Sequence, residues 1–341
     1  MEKNNWNFWI DKGGTFTDVI ALSPNNRLFL EKVLSHSQKK NDDPISRGIN
    51  KILTENSADL ENIGNVTVGT TKATNTLLER TGEKILLIVP TGLRDSQTIG
   101  YQSREDIFAL EIKKPIPLYS KVIELDIRLT KSGHDFIKPN WKTIKEQLKQ
   151  IKIGSFNSIC VSLIHGWKFP RYEIEIQSIL NQLGHKNVTL GHEISKTIKY
   201  IRRTHTSLVH AYVDPNIRSD IDNLKKEINF DKNNISLRYM QSNGGLAEEK
   251  NFRGINSILS GPAGGVMGAI SVGKKSGFKK IITFDMGGTS TDVSHFEGEL
   301  EYKNEKTIDN QTLQVPIIDI DTIASGGGSI LDYRNSRMTV G

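Results

Sequence analysis

Apolar positions along this chain come in short runs separated by longer stretches of mixed character, and the two patterns mark different elements. Asn7-Phe-Trp-Ile10 and Val19-Ile-Ala-Leu22 read as strands. Asp42-Asp43-Pro44 opens a helix running to about Leu53, with an aspartate as N-cap candidate and proline in the first turn. Asn65-Val-Thr-Val68 is a strand that delivers a helix from Gly69 to Arg80, closed by Gly82. Lys84-Ile-Leu-Leu-Ile-Val89 is apolar after its lysine, the type of strand buried in a parallel sheet. Residues 157–164 read as strand and 171–183 as helix. A helical stretch from about Arg203 to Ile228 is interrupted at Asp214-Pro215, and Ser236-Leu-Arg-Tyr-Met240 is again a strand. Strands alternating with helices imply an α/β sheet.

The chain also resembles itself. Asp11-Lys-Gly-Gly-Thr-Phe-Thr-Asp-Val19 recurs as Asp285-Met-Gly-Gly-Thr-Ser-Thr-Asp-Val293, with differences only at the second and sixth positions. Each copy lies between two β-like runs, Ile281-Ile-Thr-Phe284 and Val293-Ser-His-Phe296 in the second case, so the unit is strand, Gly-Gly turn, strand. Its wide separation implies two related lobes. Paired glycines let a backbone take positive φ and approach a ligand, so that successive N–H groups form an anion-binding concavity. Thr15 and Thr289 add hydroxyl donors, while Asp11 and Asp285 can hold Mg²⁺ through its waters or orient an attacking group. Two such hairpins facing each other would clamp a triphosphate. The plain alternative is a tight Gly-Gly hairpin turn. No GxxxxGK[ST] loop occurs, which excludes the P-loop class.

Further glycine clusters at 242–246, at 260–265 leading into an apolar helix Val266 to Val272, and at 325–329 after the β-like run 317–323 are turns that can also meet a ligand. Among the 341 residues, 36% are hydrophobic and 25% charged, as in soluble globular proteins with room for two domains. No apolar run reaches membrane-spanning length and the N-terminus lacks a secretory layout, so a cytoplasmic protein is expected. Cys160 is the sole cysteine and sits in an apolar run, which makes it a buried, inert thiol. The net charge of +6 comes from lysines scattered among Asn, Ile, Glu and Asp, so nucleic acid is not an expected partner. His205 and His210, five apart on a helix, are poorly spaced to share a metal.

The ordered series Ile10–Val19, Gly69-Thr-Thr-Lys-Ala-Thr-Asn75, Thr91-Gly-Leu-Arg-Asp95, Ser260-Gly-Pro-Ala-Gly-Gly265, Phe284–Val293 and Ala324-Ser-Gly-Gly-Gly-Ser329 resembles the hydantoinase A / 5-oxoprolinase family. Thr312–Ile323 and Gln102–Phe108 place it nearer the 5-oxoprolinase branch, as does Val68 where hydantoinase-type members carry histidine. The resemblance implies an actin-like ATPase (ribonuclease H-like) fold with two related lobes, about 1–200 and 201–341, the second incomplete at its C-terminus. It implies ATP- and Mg²⁺-dependent hydrolysis of a cyclic amide, 5-oxo-L-proline to L-glutamate with ADP and phosphate. Hydantoin hydrolysis, ketone carboxylation or a nucleotide-binding module without chemistry of its own are the alternatives. By position, Asp11 and Asp285 manage Mg²⁺ and in-line transfer. Gly13, Gly14, Thr15, Gly287, Gly288 and Thr289 hold phosphates, and Gly326 and Gly327 join the nucleotide site. Thr17, Asp18, Thr291 and Asp292 either add contacts or staple the hairpins. Arg104 is the candidate for a substrate carboxylate, against a surface salt bridge. A continuing or hydantoinase B-like chain completes the enzyme, and an oligomer is expected.

Overall fold

A computed structural model describes residues 5–340 apart from 37–41, 103–107, 109, 112–113, 289 and 335. Strands β1 (Trp6–Lys12), β2 (Phe16–Leu22) and β3 (Leu28–Leu34) form an antiparallel meander. Helix α1 (Pro44–Glu55) crosses back, so that β4 (Ile63–Thr70) pairs parallel with β1, and α2 (Lys72–Leu78) follows at once. In α1 the side chain of Asp43 caps the first turn, accepting from Ile45 N at 2.8 Å, and Ile45, Ile49, Ile52 and Leu53 form its buried stripe.

The chain then builds a second, wholly parallel sheet from β5 (Ile85–Pro90), β6 (Tyr119–Leu125), β7 (Ser158–Val161) and β8 (Val188–Leu190), in the order β8-β7-β5-β6. Helices α3 (Trp141–Lys149) and α4 (Arg171–Gln182) cover one face. Every residue of β5 is buried, because Leu86 and Ile88 enter the core under α3 and α4 while Ile85, Leu87 and Val89 enter the core of the first sheet. Cys160 on β7 is fully buried, and burial pushes its thiol pKa up.

Helix α5 (Tyr200–Glu227) lies against both sheets. It runs unbroken through Pro215, contrary to the interruption expected there. An interior proline costs about 3 kcal/mol, but Val209, Val213, Ile217, Ile221 and Leu224 bury one face along the whole length and offset it. After α5, β9 (Ser236–Met240) pairs parallel with β4, and β10 (Leu246–Glu248) completes a six-stranded sheet ordered β10-β9-β4-β1-β2-β3.

The glycine cluster at 260–265 is the first part of α6 (Ser260–Lys275), not a turn before it. Small residues suit this close packing: a Cβ on Gly261 would lie 3.2 Å from Thr71 Cγ2. The hairpin β11 (Lys280–Met286) and β12 (Thr291–Glu297) follows, with β13 (Asp321–Ile323) antiparallel to β12. The run expected as one strand over 317–323 divides into two short strands at 317–318 and 321–323. Phe8 and Ile10 of β1 are 0% and 4% exposed, whereas their equivalents Ile282 and Phe284 of β11 are 73% and 65% exposed. No described helix is long and apolar enough to cross a membrane.

One side chain ties the parallel sheet to α5. Arg203 is fully buried, and its guanidinium donates to the carbonyls of Thr197 (2.7 Å), Leu163 (2.7 Å) and Ile164 (2.8 Å). Arg203→Ala takes the side-chain donor from the carbonyls of Thr197 and Ile164, while Leu163 O keeps its bond from Gly166 N. The expected loss is about 3 kcal/mol or more of unfolding free energy, measured by denaturant titration. A loss within experimental error would show that the arginine is replaceable.

Candidate active site

The two Gly-Gly motifs fold as the same hairpin in the same register. Asp11 stands opposite Asp18 and Lys12 opposite Thr17; Asp285 stands opposite Asp292 and Met286 opposite Thr291. Gly13 N donates to Phe16 O at 3.1 Å, and Gly287 N to Ser290 O at 2.8 Å. The reason for glycine differs from the one expected. None of Gly13, Gly14, Gly287 and Gly288 has positive φ. Close approach is the constraint at the first turn instead: a Cβ on Gly13 would stand 2.9 Å from Phe16 O, and one on Gly14 would stand 3.4 Å from Asn75 Nδ2. The amides of Gly14 and Thr15 and the Thr15 hydroxyl have no hydrogen-bond partner among the described residues, so they are free to meet an anion.

Several predicted site residues brace the turns. Thr17 is buried with its hydroxyl 2.9 Å from Ser35 Oγ, and Ser35 donates to Gly13 O at 2.7 Å. Thr291 Oγ1 donates to Ser325 O at 2.6 Å. Gly327 N and Gly328 N each donate at 2.9 Å, to Gly287 O and Gly288 O, and Gly326 N donates to Ser329 Oγ at 3.0 Å. The triple-glycine loop thus clasps the second turn with its own amides. Asp18 pairs with Lys32 at 2.6 Å, and Asp292 accepts from Thr322 Oγ1 at 2.7 Å. Thr289 and Arg104 lie outside the described residues.

The hairpins bring Asp11 and Asp285 into each other's field. Burial raises the Asp11 pKa above its ordinary value; Asp18 adds to the rise, Lys32 opposes it and Asp285 reinforces it. Gly69 stands opposite Asp11 across the β1–β4 pairing, where a Cβ would be 3.7 Å from Asp11 Oδ1. A divalent cation beside Asp11 would offset the repulsion it feels from Asp18 and Asp285.

Behind the first turn an open cleft of about 720 Å³ is walled by Gly13, Gly14, Thr15, Thr71, Asn75 and Asp220. Here lie residues that sequence reasoning missed. Lys12 Nζ is 2.9 Å from Asp43 Oδ2 and 3.3 Å from Asp220 Oδ2, and Lys72 Nζ is 2.5 Å from Asp220 Oδ1. Lys12 carried one signal: it is one of two positions where the repeat copies differ. Asp43 was legible only as a cap. Burial lowers the His205 and His210 pKa values, so both are neutral helix residues, and no metal-ligating cluster of three occurs among the described residues.

Two family models match in succession. Residues 7–184 fit the hydantoinase/oxoprolinase N-terminal region, and residues 203–341 fit hydantoinase/oxoprolinase. The chain belongs to the hydantoinase/oxoprolinase family. It is 37% identical to a 5-oxoprolinase of Dictyostelium discoideum and 36% identical to one of Saccharomyces cerevisiae, alignments covering 99% and 100% of this chain. It spans about 30% of the length of each of those relatives. The ATP-dependent caprolactamase of Pseudomonas jessenii superposes with a TM-score of 0.80 at 27% identity, over 96% of this chain and 49% of that one. Nucleotide-free acetone carboxylase superposes at 0.79 with 24% identity, over 99% and 51% of the two chains, a likeness of fold alone. These neighbours agree with a two-lobe actin-like α/β fold for this hydantoinase/oxoprolinase chain.

The asymmetry between the turns is measurable. Gly13→Ala forces a Cβ against Phe16 O and is expected to cost about 1–3 kcal/mol, whereas Gly288→Ala meets nothing within 4 Å and should cost under about 0.5 kcal/mol. Equal losses in thermal unfolding would contradict the close-approach account. Asp11→Asn removes a carboxylate whose folded pKa is raised, so its ionised form destabilises the folded chain. The variant should be more stable at neutral pH. Its advantage should fade as pH falls through the raised pKa toward the ordinary value of about 3.9. A gain that grows on acidification would reverse the sign.

Proposed function

We propose that this chain forms the nucleotide-binding part of an enzyme that opens a cyclic amide at the expense of ATP, with 5-oxo-L-proline as substrate. The carrying observation is the pair of matched hairpins that set Asp11 and Asp285 within each other's field beside unpartnered turn amides. In this reading the triphosphate lies between the turns, with Gly14, Thr15, Gly287 and Gly288 around it. Asp11 and Asp285 hold Mg²⁺, which supplies charge neutralisation for phosphoryl transfer. The names of the 5-oxoprolinase and caprolactamase relatives, both enzymes of lactams, support the substrate class.

The chemistry explains the need for ATP. A lactam carbonyl is a poor electrophile. Attack of its amide oxygen on the γ-phosphorus releases ADP and leaves an O-phosphorylated imidate. Water then adds to the activated carbon, the ring C–N bond breaks, and a second water completes release of phosphate and the amino acid. The turn amides bind and orient the transferring group. Completion by a further polypeptide region or a hydantoinase B-like chain, and a cytoplasmic location, are part of the same proposal.

ATP hydrolysis by the assembled enzyme should be stimulated by 5-oxo-L-proline in preference to hydantoin, caprolactam or acetone. Preference for acetone with bicarbonate would place the chain in a ketone carboxylase instead. Asp285→Ala should lower phosphate release by about two orders of magnitude while leaving the thermal transition in place; turnover at the wild-type rate would sink the assignment.

A further inference from the structure

Successive side chains of a strand point to opposite faces. Asp11 faces the side it shares with Asp285. Lys12 therefore leaves β1 on the other face, among α1, α2 and α5, where the cleft behind the first turn opens. The two lysines there are held by one acid: Asp220 takes Lys12 on Oδ2 and Lys72 on Oδ1. An ammonium has three N–H donors. Lys12 spends two, on Asp43 and Asp220, and Lys72 spends one, on Asp220, so three donors remain.

Two of the neighbouring acids are engaged elsewhere, while Glu79 and Glu227 also line the cleft. The second oxygen of Asp43 caps α1 through Ile45 N, and Asp42 pairs with Arg47 at 3.5 Å. Burial works against the charge on Lys12, but Asp220 and Asp43 more than offset it and hold its pKa above the ordinary value. Gly14 and Thr15, with their free amides, form a wall of the same cleft, so a molecule bound by the lysines lies beside a phosphate held at that turn.

We propose that Lys12 and Lys72 form a subsite for a carboxylate carried by the acceptor molecule, with Asp220 as the positioning residue that fixes both ammoniums. This rests on the reading of the first turn as a phosphate site and deepens it. The subsite selects a lactam bearing a carboxylate over a neutral lactam of the same ring, because the latter leaves charged donors unpaired. The repeat agrees with the division of labour. Met286 stands where Lys12 stands in the first copy, so only the first turn has a cation to offer an acceptor.

The test is calorimetric titration of the full chain, with Mg²⁺ and a non-hydrolysable ATP analogue present, using 5-oxo-L-proline and 2-pyrrolidinone, the same ring without the carboxylate. The carboxylate should bind at least about tenfold more tightly. Lys72→Met, which leaves Lys12 bridging Asp43 and Asp220 and so spares the fold, should weaken it about tenfold or more, with Lys72→Arg restoring most of the loss. Lys12→Met should do the same if its thermal transition shows that it folds. Equal affinity for the two lactams, no binding of 5-oxo-L-proline, or an unaltered Lys72→Met variant would each overturn the subsite. Titration with the analogue alone reports separately on the nucleotide reading. A chain that binds the analogue without discriminating the lactams loses only the subsite.

Discussion

The site depends on β1 being paired along both edges. β2 holds one edge antiparallel and β4 the other parallel, so the end of β1 cannot shift without breaking two ladders. That double pairing sets where the turn projects. It also sends Asp11 and Lys12 to opposite faces, because a one-residue slip would exchange them. The burial of Trp6, Phe8 and Ile10 supplies the penalty against such a slip. A division between the face that carries Asp11 and the face that carries the paired lysines thus follows from the pleat of one strand.

The second copy shows what the same motif looks like with less around it. β11 has β12 on one edge and no strand partner on the other among the described residues, and Ile282, Phe284 and Met286 stand in the open. Its turn keeps its shape because the loop at 325–329 grips it through backbone amides and because Thr291 is tied to Ser325. In the first lobe Ser35 performs the comparable bracing with its hydroxyl and its amide. Different partners therefore stabilise the same hairpin. That is why Thr17 and Thr291 are braces in their two copies while the rest of each surrounding differs.

Helix α5 connects the parallel sheet to this arrangement. Its N-terminal half carries the buried Arg203 that binds the carbonyls after β7, and its C-terminal half presents Asp220 to Lys12 and Lys72. Asp214, beside the interior proline, accepts from Gly254 N at 2.6 Å and pins the helix to the segment before α6. The base of α6 is tied in turn to the β4–α2 junction, with Ser260 Oγ donating to Thr70 O and Leu259 N donating to Thr74 Oγ1. Elements far apart in the chain meet at the cleft through these few polar links.

Local information sufficed for what local physics controls. The duplicated hairpins, the cap at Asp43 and the apolar strand at 84–89 are readable because each rests on residues within one turn or one strand. Helix continuity through Pro215, the helical state of 260–265 and the reason for Gly13 were not readable, since burial against distant elements and a backbone oxygen three residues on decide them. From sequence alone neither Lys72 nor Asp220 has a role in a site. Only the packing of α5 beside β4 and α2 brings them to one cleft, because an ion pair between residues 148 positions apart has no signature along the chain.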